Sequence, residues 1–175
     1  MSKRPIDVRI RTGREEVSEG QARSEAFREA MARWVSGVTI VAVRDPDDGK
    51  LHGTTVGSLI SVSADPPRIA FSLGPGAQVL PFLPEDRPFV VNILSAGQAG
   101  LATRYADAFP IGPSPFPDEG APAIPGAQAN LFCAVEQVVS VGSSRLVLGR
   151  VEKAQISDEE EPLVYWNRDY RQLGG

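Results

Sequence analysis

G-T-T-V-G-S-L-I-S-V-S-A-D-P-P, residues 53–67, is the stretch on which the fold of this chain turns. It carries no charge before Asp65, and its short hydroxyl residues, Thr54, Thr55, Ser58, Ser61 and Ser63, sit among Val56, Ile60 and Val62. That mixture reads as a strand that is polar on one side. Upstream, V-T-I-V-A-V (38–43) is a β-branched run, and D-P-D-D-G-K (45–50) has the residues of a turn, so the two runs predict a hairpin. Downstream, Pro66 and Pro67 forbid a helix and remove two backbone donors, and R-I-A-F-S-L (68–73) predicts a short buried strand.

Further out, apolar positions Phe27, Ala30, Met31, Trp34 and Val35 recur at helical spacing. They predict a helix over 24–36 that buries this stripe, with Ser24 as its N-cap and Gly37 as its stop. G-P-G-A-Q-V-L-P-F-L-P-E-D (74–86) reads as a loop with a short helical turn, P-F-V-V-N-I-L (88–94) as a strand, and 97–107 as a helix. Six prolines between Asp107 and Gln128 exclude regular structure there and leave a functional cover or a dimer arm. Residues 129–141 and 145–157 predict an antiparallel hairpin about Gly142, Ser143 and Ser144. D-E-E-E-P (158–162) reads as a solvated turn, and 163–173 as a last strand. Short strands with many turns and few helices predict a mainly β fold, a small β-barrel with peripheral helices.

Composition narrows the chemistry. With 175 residues and a net charge of −4, the chain suits one domain and is a poor nucleic-acid binder. One cysteine and one histidine exclude a disulfide framework and a multi-histidine metal site, so no metal is expected. Residues 1–23 read as a flexible arm and 24–175 as the single domain. No secretory h-region or membrane-spanning run is seen, so a cytoplasmic setting is expected. There is no dinucleotide fingerprint, P-loop or nucleophile elbow. Cys133, in an apolar strand, reads as a buried small hydrophobe. His52 reads as a hairpin histidine or as one at a ligand's edge.

What the residues leave open is the 53–67 stretch. It is either a Ser/Thr-rich edge strand or a site where backbone N–H groups and hydroxyls surround an anion and a flat ring. In the second case Gly57 lets the ring approach the backbone.

The ordered set F-R-E-A-M-A-R-W-V-S-G-V-T-I-V (27–41), H-G-T-T-V-G-S-L-I-S-V-S-A-D-P-P (52–67), R-P-F-V-V-N-I-L (87–94), L-A-T-R-Y-A (101–106) and Y-R-Q-L (170–173) resembles the short-chain flavin reductase family. The members of that family are flavin-reductase-like proteins built on an FMN-binding split barrel. The resemblance implies a homodimer holding FMN or FAD in a groove between subunits, with NAD(P)H as electron donor. It implies that Thr55, Val56, Gly57 and Ser58 line the isoalloxazine, mostly by backbone groups. Ser61, Val62 and Ser63 would face the ribityl chain and phosphate, and Ser72, Leu73 and the loop to Gln78 would close the phosphate side. The implied activity is NAD(P)H-dependent flavin reduction, with reduced flavin passed to a partner monooxygenase. The alternative is a flavin-binding or electron-transfer protein of the same fold with little turnover. Two differences from the family pattern stand out. The turn that often reads G-D-H is G-S-S at 142–144, and the 74–78 loop, G-P-G-A-Q, lacks the usual hydroxyls. Arg68 or Arg104 would compensate for the missing phosphate contacts.

Overall fold

A computed structural model describes residues 19–158 and 161–173. Most of the expected N-terminal arm and part of the acidic turn lie outside the described residues. The chain divides into two units, residues 1–34 and 35–175.

The first unit holds helix α1, Glu19–Ala32. It begins before Ser24, whose hydroxyl donates to the Gly20 carbonyl four residues back, so Ser24 is an interior helix residue rather than a cap. Nor is the apolar stripe a core. Phe27 is 64% exposed, Met31 49%, Trp34 69% and Val35 53%. Spacing reveals that a stripe exists but not which surface covers it. The helix also ends before Trp34 and Val35, which fall outside the expected register.

The second unit is mainly β. Strands β1 (Ser36–Gly37), β2 (Thr39–Arg44), β3 (Leu51–Val56), β4 (Ile60–Ala64), β5 (Pro67–Leu73) and β6 (Pro88–Ile93) precede helix α2 (Ala99–Ala106). Strands β7 (Ala129–Val141), β8 (Ser144–Ile156), β9 (Leu163–Trp166) and β10 (Asp169–Gln172) follow it. Seven strands form one sheet in the order β3-β2-β6-β7-β8-β5-β4, and β1-β9-β10 form a second.

Connectivity forces the larger sheet to curl. β3 and β4 are its two opposite edges, yet only residues 57–59 join them. Laid flat, seven strands would hold those edges roughly 29 Å apart, whereas four Cα steps reach about 15 Å at most. The sheet therefore bends into a barrel left open between β3 and β4, a split barrel. The expected single polar arm after the 45–50 turn is thus two strands. β3 completes the hairpin with β2, and β4 crosses the opening to pair with β5.

The alternation of strand residues sorts two cores. Val41, Val43, Val56, Phe71, Phe89, Val91, Cys133, Val135 and Val147 fill the barrel interior, sealed by Val79 and Leu83 from the 74–86 segment. Gly149 belongs to the same face, since a Cβ there would stand 2.7 Å from the Phe89 ring. On the outer face, Val38, Ile40 and Ala42 pack with Ala102, Tyr105, Phe116, Ile124 and Leu163. The proline-rich segment is thus anchored to the barrel wall. Asn92 donates to the Ile40 and Pro122 carbonyls and accepts from the Ile124 N–H at 2.7 Å and from Asn130. Arg44 donates to the carbonyls of Gly49, Pro117 and Gly120.

The long β7–β8 hairpin turns tightly at Gly142, whose φ of +58° suits glycine. Ser144 already belongs to β8. The expected last strand is a hairpin instead. Asn167 and Arg168, with φ of 50° and 62°, form its two-residue turn, a backbone requirement hidden by the arginine.

Candidate functional site

The barrel's opening gathers most of the residues singled out from the 53–67 stretch. β3 runs into it, residues 57–59 cross it, and β4 forms its far lip. Three hydroxyls hold this corner together. Thr39 donates to the Val56 carbonyl at 2.8 Å, and Thr55 donates to the Ala102 carbonyl of α2 at 2.7 Å. Ser58 donates to the Ser72 carbonyl at 3.2 Å and accepts from the Ser72 N–H at 2.9 Å. β4 pairs with β5 only as far as Ala70, so beyond it the Ser58 side chain takes the place of a strand partner. The hydroxyls of Thr55 and Ser58 are thereby committed to the fold, and what these positions offer a ligand is backbone.

Gly57 and Ser58 are exposed and Val56 is buried. Gly57 has no side chain to cover the backbone where it crosses the opening, and a Cβ there would meet the Ser36 hydroxyl at 3.1 Å. In β4, Ile60, Ser61 and Val62 are exposed and Ser63 is half-buried. The pairing register shifts between Ser61 and Ser63, a bulge at Val62 that turns the edge backbone. The hydroxyls of Ser61 and Ser63 have no hydrogen-bond partner among the described residues. Being an edge, β4 also leaves one row of backbone N–H and C=O groups without strand partners.

At the end of β5, Ser72 is exposed, and Leu73 is buried in the barrel interior. The 74–79 loop turns on an Ala77 N–H to Gly74 carbonyl bond of 3.1 Å and leaves Gln78 exposed. Ser61 and Ser63 lie opposite Ile69 and Arg68, near the start of β5, whereas Ser72, Leu73 and Gln78 lie at and beyond its end. From Arg68 to Leu73 is five steps along β5, roughly 17 Å, and Thr55 and Val56 belong to the opposite edge, so the ten residues are strung along both sides of the opening rather than clustered at a point.

Charge is sparse here. Arg68 is held by Glu136, Nε lying 2.7 and 3.0 Å from the two carboxylate oxygens. Arg104, on α2, lies against the Tyr105 ring with its Nε buried and unbonded. Neither is drawn to the 74–78 loop. His52 stacks on Phe82 with ring centroids 3.8 Å apart, which makes it a packing group beside the segment that seals the barrel. Burial pushes the Cys133 thiol up to about 12, far from a nucleophile's range. No group of three or more metal-ligating side chains occurs among the described residues.

A neutral lip of bare backbone, two unengaged hydroxyls and β-branched side chains fits a flat heteroaromatic ring carrying polar edge groups. It fits a metal or a strongly charged headgroup poorly. The residues present thus fit a flavin. Two cavities, of about 420 and 440 Å³, lie elsewhere, one beside Leu80 and Gln137 and the other beside Arg44 and Arg87.

Comparison with known proteins points to one family. A family model described as flavin reductase like domain matches residues 31–174. The reductase component of 4-hydroxyphenylacetate 3-monooxygenase from Thermus thermophilus is 35% identical over 153 residues, covering 85% of this chain and 96% of that protein. An NADH:riboflavin 5'-phosphate oxidoreductase from Streptomyces pristinaespiralis is 33% identical over 162 residues, covering 90% and 92%. Among solved structures, the flavin reductase PheA2 superposes with a TM-score of 0.77 at 30% identity, covering 86% of this chain and 98% of that one. The NADH:FAD oxidoreductase SgcE6 of Streptomyces globisporus, in complex with NAD and FAD fragments, superposes at 0.76 with 28% identity, covering 91% and 98%.

Proposed function

This chain belongs to the flavin reductase like family, and from that membership we propose that it reduces flavin with NADH and supplies the product to a partner oxygenase. The observation that carries the proposal is the uncharged lip formed by residues 56–63, with its unpaired edge backbone and the free hydroxyls of Ser61 and Ser63. Bound there, a flavin would accept a hydride from the nicotinamide, and the ring would supply the redox chemistry. The protein's work is positioning. Bare backbone at Gly57 and Ser58 meets the polar edge of the ring, β4 supports the ribityl chain through Ser61, Val62 and Ser63, and the 72–78 segment borders the phosphate. Holding two reactants face to face turns a bimolecular encounter into a step within one complex.

The relative from Thermus thermophilus is named as a monooxygenase reductase component, and a structural relative at 28% identity, BorF, as that of a tryptophan halogenase. These names support a two-component system with an oxygenase as partner. A homodimer with the groove between copies is supported by the exposed apolar side chains of α1 and by Ile60 and Val62 on β4. We place the protein in the cytoplasm, where its reduced nicotinamide substrate is regenerated. No helix among the described residues is long and apolar enough to cross a membrane.

The decisive assay follows NADH and NADPH oxidation with riboflavin, FMN and FAD as acceptors. Turnover that saturates in flavin supports the proposal. Flavin binding without NAD(P)H oxidation would replace it with the second reading, a flavin-binding or electron-transfer protein. One feature favours that second reading: the turn at Gly142, Ser143 and Ser144 offers hydroxyls but no imidazole. Absence of any flavin affinity would overturn both.

A further inference from the structure

We propose that Arg145 is the residue that recognises the flavin's phosphate and makes this groove selective for phosphorylated flavins over riboflavin. The inference rests on the flavin reading above and assigns the charge contact that the 74–78 loop itself lacks.

Position comes first. In the β5–β8 ladder, Leu73 faces Arg145, Phe71 faces Val147 and Ile69 faces Gly149. Paired residues share a face of the sheet, and the other five members of this row line the barrel interior. Arg145 therefore stands at the rim of that interior, one strand from the root of the 74–78 loop. The preceding residue, Ser72, is the one bonded to Ser58 across the opening. Ser58, the end of β5 and Arg145 thus lie on successive segments running away from the bare backbone at Gly57.

Charge comes second. Three arginines lie on β5 and β8, and two are neutralised within the protein. Arg68 chelates Glu136, and Arg150 approaches Glu152 at 3.3 Å and Asp86 at 3.8 Å. Arg145 is half-buried, yet among the described residues its one partner is the Ser144 carbonyl, reached by Nη1 at 3.1 Å. A partly desolvated guanidinium without a counter-charge is costly unless an anion completes it. The neighbouring loop reads G-P-G-A-Q and contributes neither hydroxyl nor cation, and residues 53–64 carry no charge at all. Of the arginines on β5 and β8, Arg145 is the one left without a counter-charge, and it pairs with Leu73 at the root of this loop; its planar guanidinium suits phosphate oxygens in pairs.

The test compares binding of riboflavin, FMN and FAD to the wild-type chain, Arg145→Gln and Arg145→Lys, by flavin fluorescence titration at two salt concentrations. Arg145→Gln is expected to weaken FMN at least 10-fold and to leave riboflavin within twofold, with Arg145→Lys intermediate. The wild-type preference for FMN over riboflavin should shrink as salt rises. Equal loss for riboflavin and FMN would make Arg145 a structural residue and overturn the assignment, as would unchanged FMN affinity. A raised KM for NADH with unchanged FMN affinity would move the contact to the nicotinamide nucleotide and also overturn it. Failure of the wild-type chain to bind even riboflavin would instead remove the flavin reading beneath it. Thermal melts of both variants separate loss of the contact from loss of the fold.

Discussion

At the scale of single residues, the polar groups of this protein divide into those the fold consumes and those it leaves free. Asn92 is consumed. It is fully buried, and both ends of its amide are bonded, to Ile40, Pro122, Ile124 and Asn130. Asn92→Ala would leave the Ile124 N–H without an acceptor inside the protein and is expected to destabilise by about 2–4 kcal/mol. In urea unfolding the midpoint should fall by roughly 1–2 M with the slope unchanged; a loss within error would mean that water replaces the amide. Cys133 is consumed differently, as apolar volume. Burial, with a smaller contribution from Glu152, raises its thiol from 9.0 to about 12. Above pH 9 the unfolded chain has released a proton that the folded chain still holds. The stabilisation tied to this group is therefore full below pH 9 and is lost at about 1.4 kcal/mol per pH unit up to about 12. Subtracting the pH–stability curve of Cys133→Ala from that of the wild type should isolate this slope, and a flat difference would refute the buried thiol. Ser58 and Thr55 show why the site was only partly legible in the sequence. Their hydroxyls suggested ligand contacts, but their bonds to Ser72 and Ala102 depend on strands and a helix far along the chain.

At the scale of elements, legibility followed how local the determining forces are. β2, β5, β6 and the β7–β8 hairpin could be read because β-branched runs and turn residues act over a few positions. The separation of β3 from β4 could not, because 51–65 looks continuous and only the sheet order reveals that the chain crosses an opening. The Asn167–Arg168 turn was hidden by an arginine at positive φ. The stripe of α1 was visible, but nothing in its spacing says what covers it. The proline-rich segment 107–128 was rightly expected to be irregular, and its physical interest lies in how few groups hold it. Arg44 reaches it twice, at Pro117 and Gly120, and ties it to the 45–50 turn through Gly49. Arg44→Ala should leave the barrel folded, with a loss of about 1–2 kcal/mol, while protease cleavage between 107 and 121 speeds several-fold. The Asn92 anchor at Pro122 and Ile124 should confine the new cuts to the N-terminal side of that point. Cleavage spread through 122–128 would show that the segment detaches as a whole and that Arg44 is its main tether.

At the scale of the whole molecule, each of the two units leaves apolar surface exposed. Ile60 is 57% and Val62 49% exposed on a strand edge whose backbone lacks partners, and α1 shows Phe27, Met31 and Trp34 to solvent. Edge strands are ordinarily blunted by charge or covered, and β4 carries no charged residue. Large exposed apolar surface likewise marks an interface in a stable protein. In the dimer proposed above, a second copy over the β4 lip would cover that edge and turn it into a groove that excludes water from a bound ring. The expected native mass by light scattering is twice the chain's 18.7 kDa. Val62→Lys places a charge on the lip without touching the barrel interior, so it should shift the mass toward one chain and lower flavin affinity about 10-fold or more. The midpoint in urea at low protein concentration should stay close to that of the wild type. The two losses should track one another as concentration rises, because mass action restores both the dimer and its groove. A wild-type protein that stays at one chain mass at tens of micromolar, or a Val62→Lys monomer that binds flavin as tightly as the wild type, would mean that a single lip suffices to hold the ring.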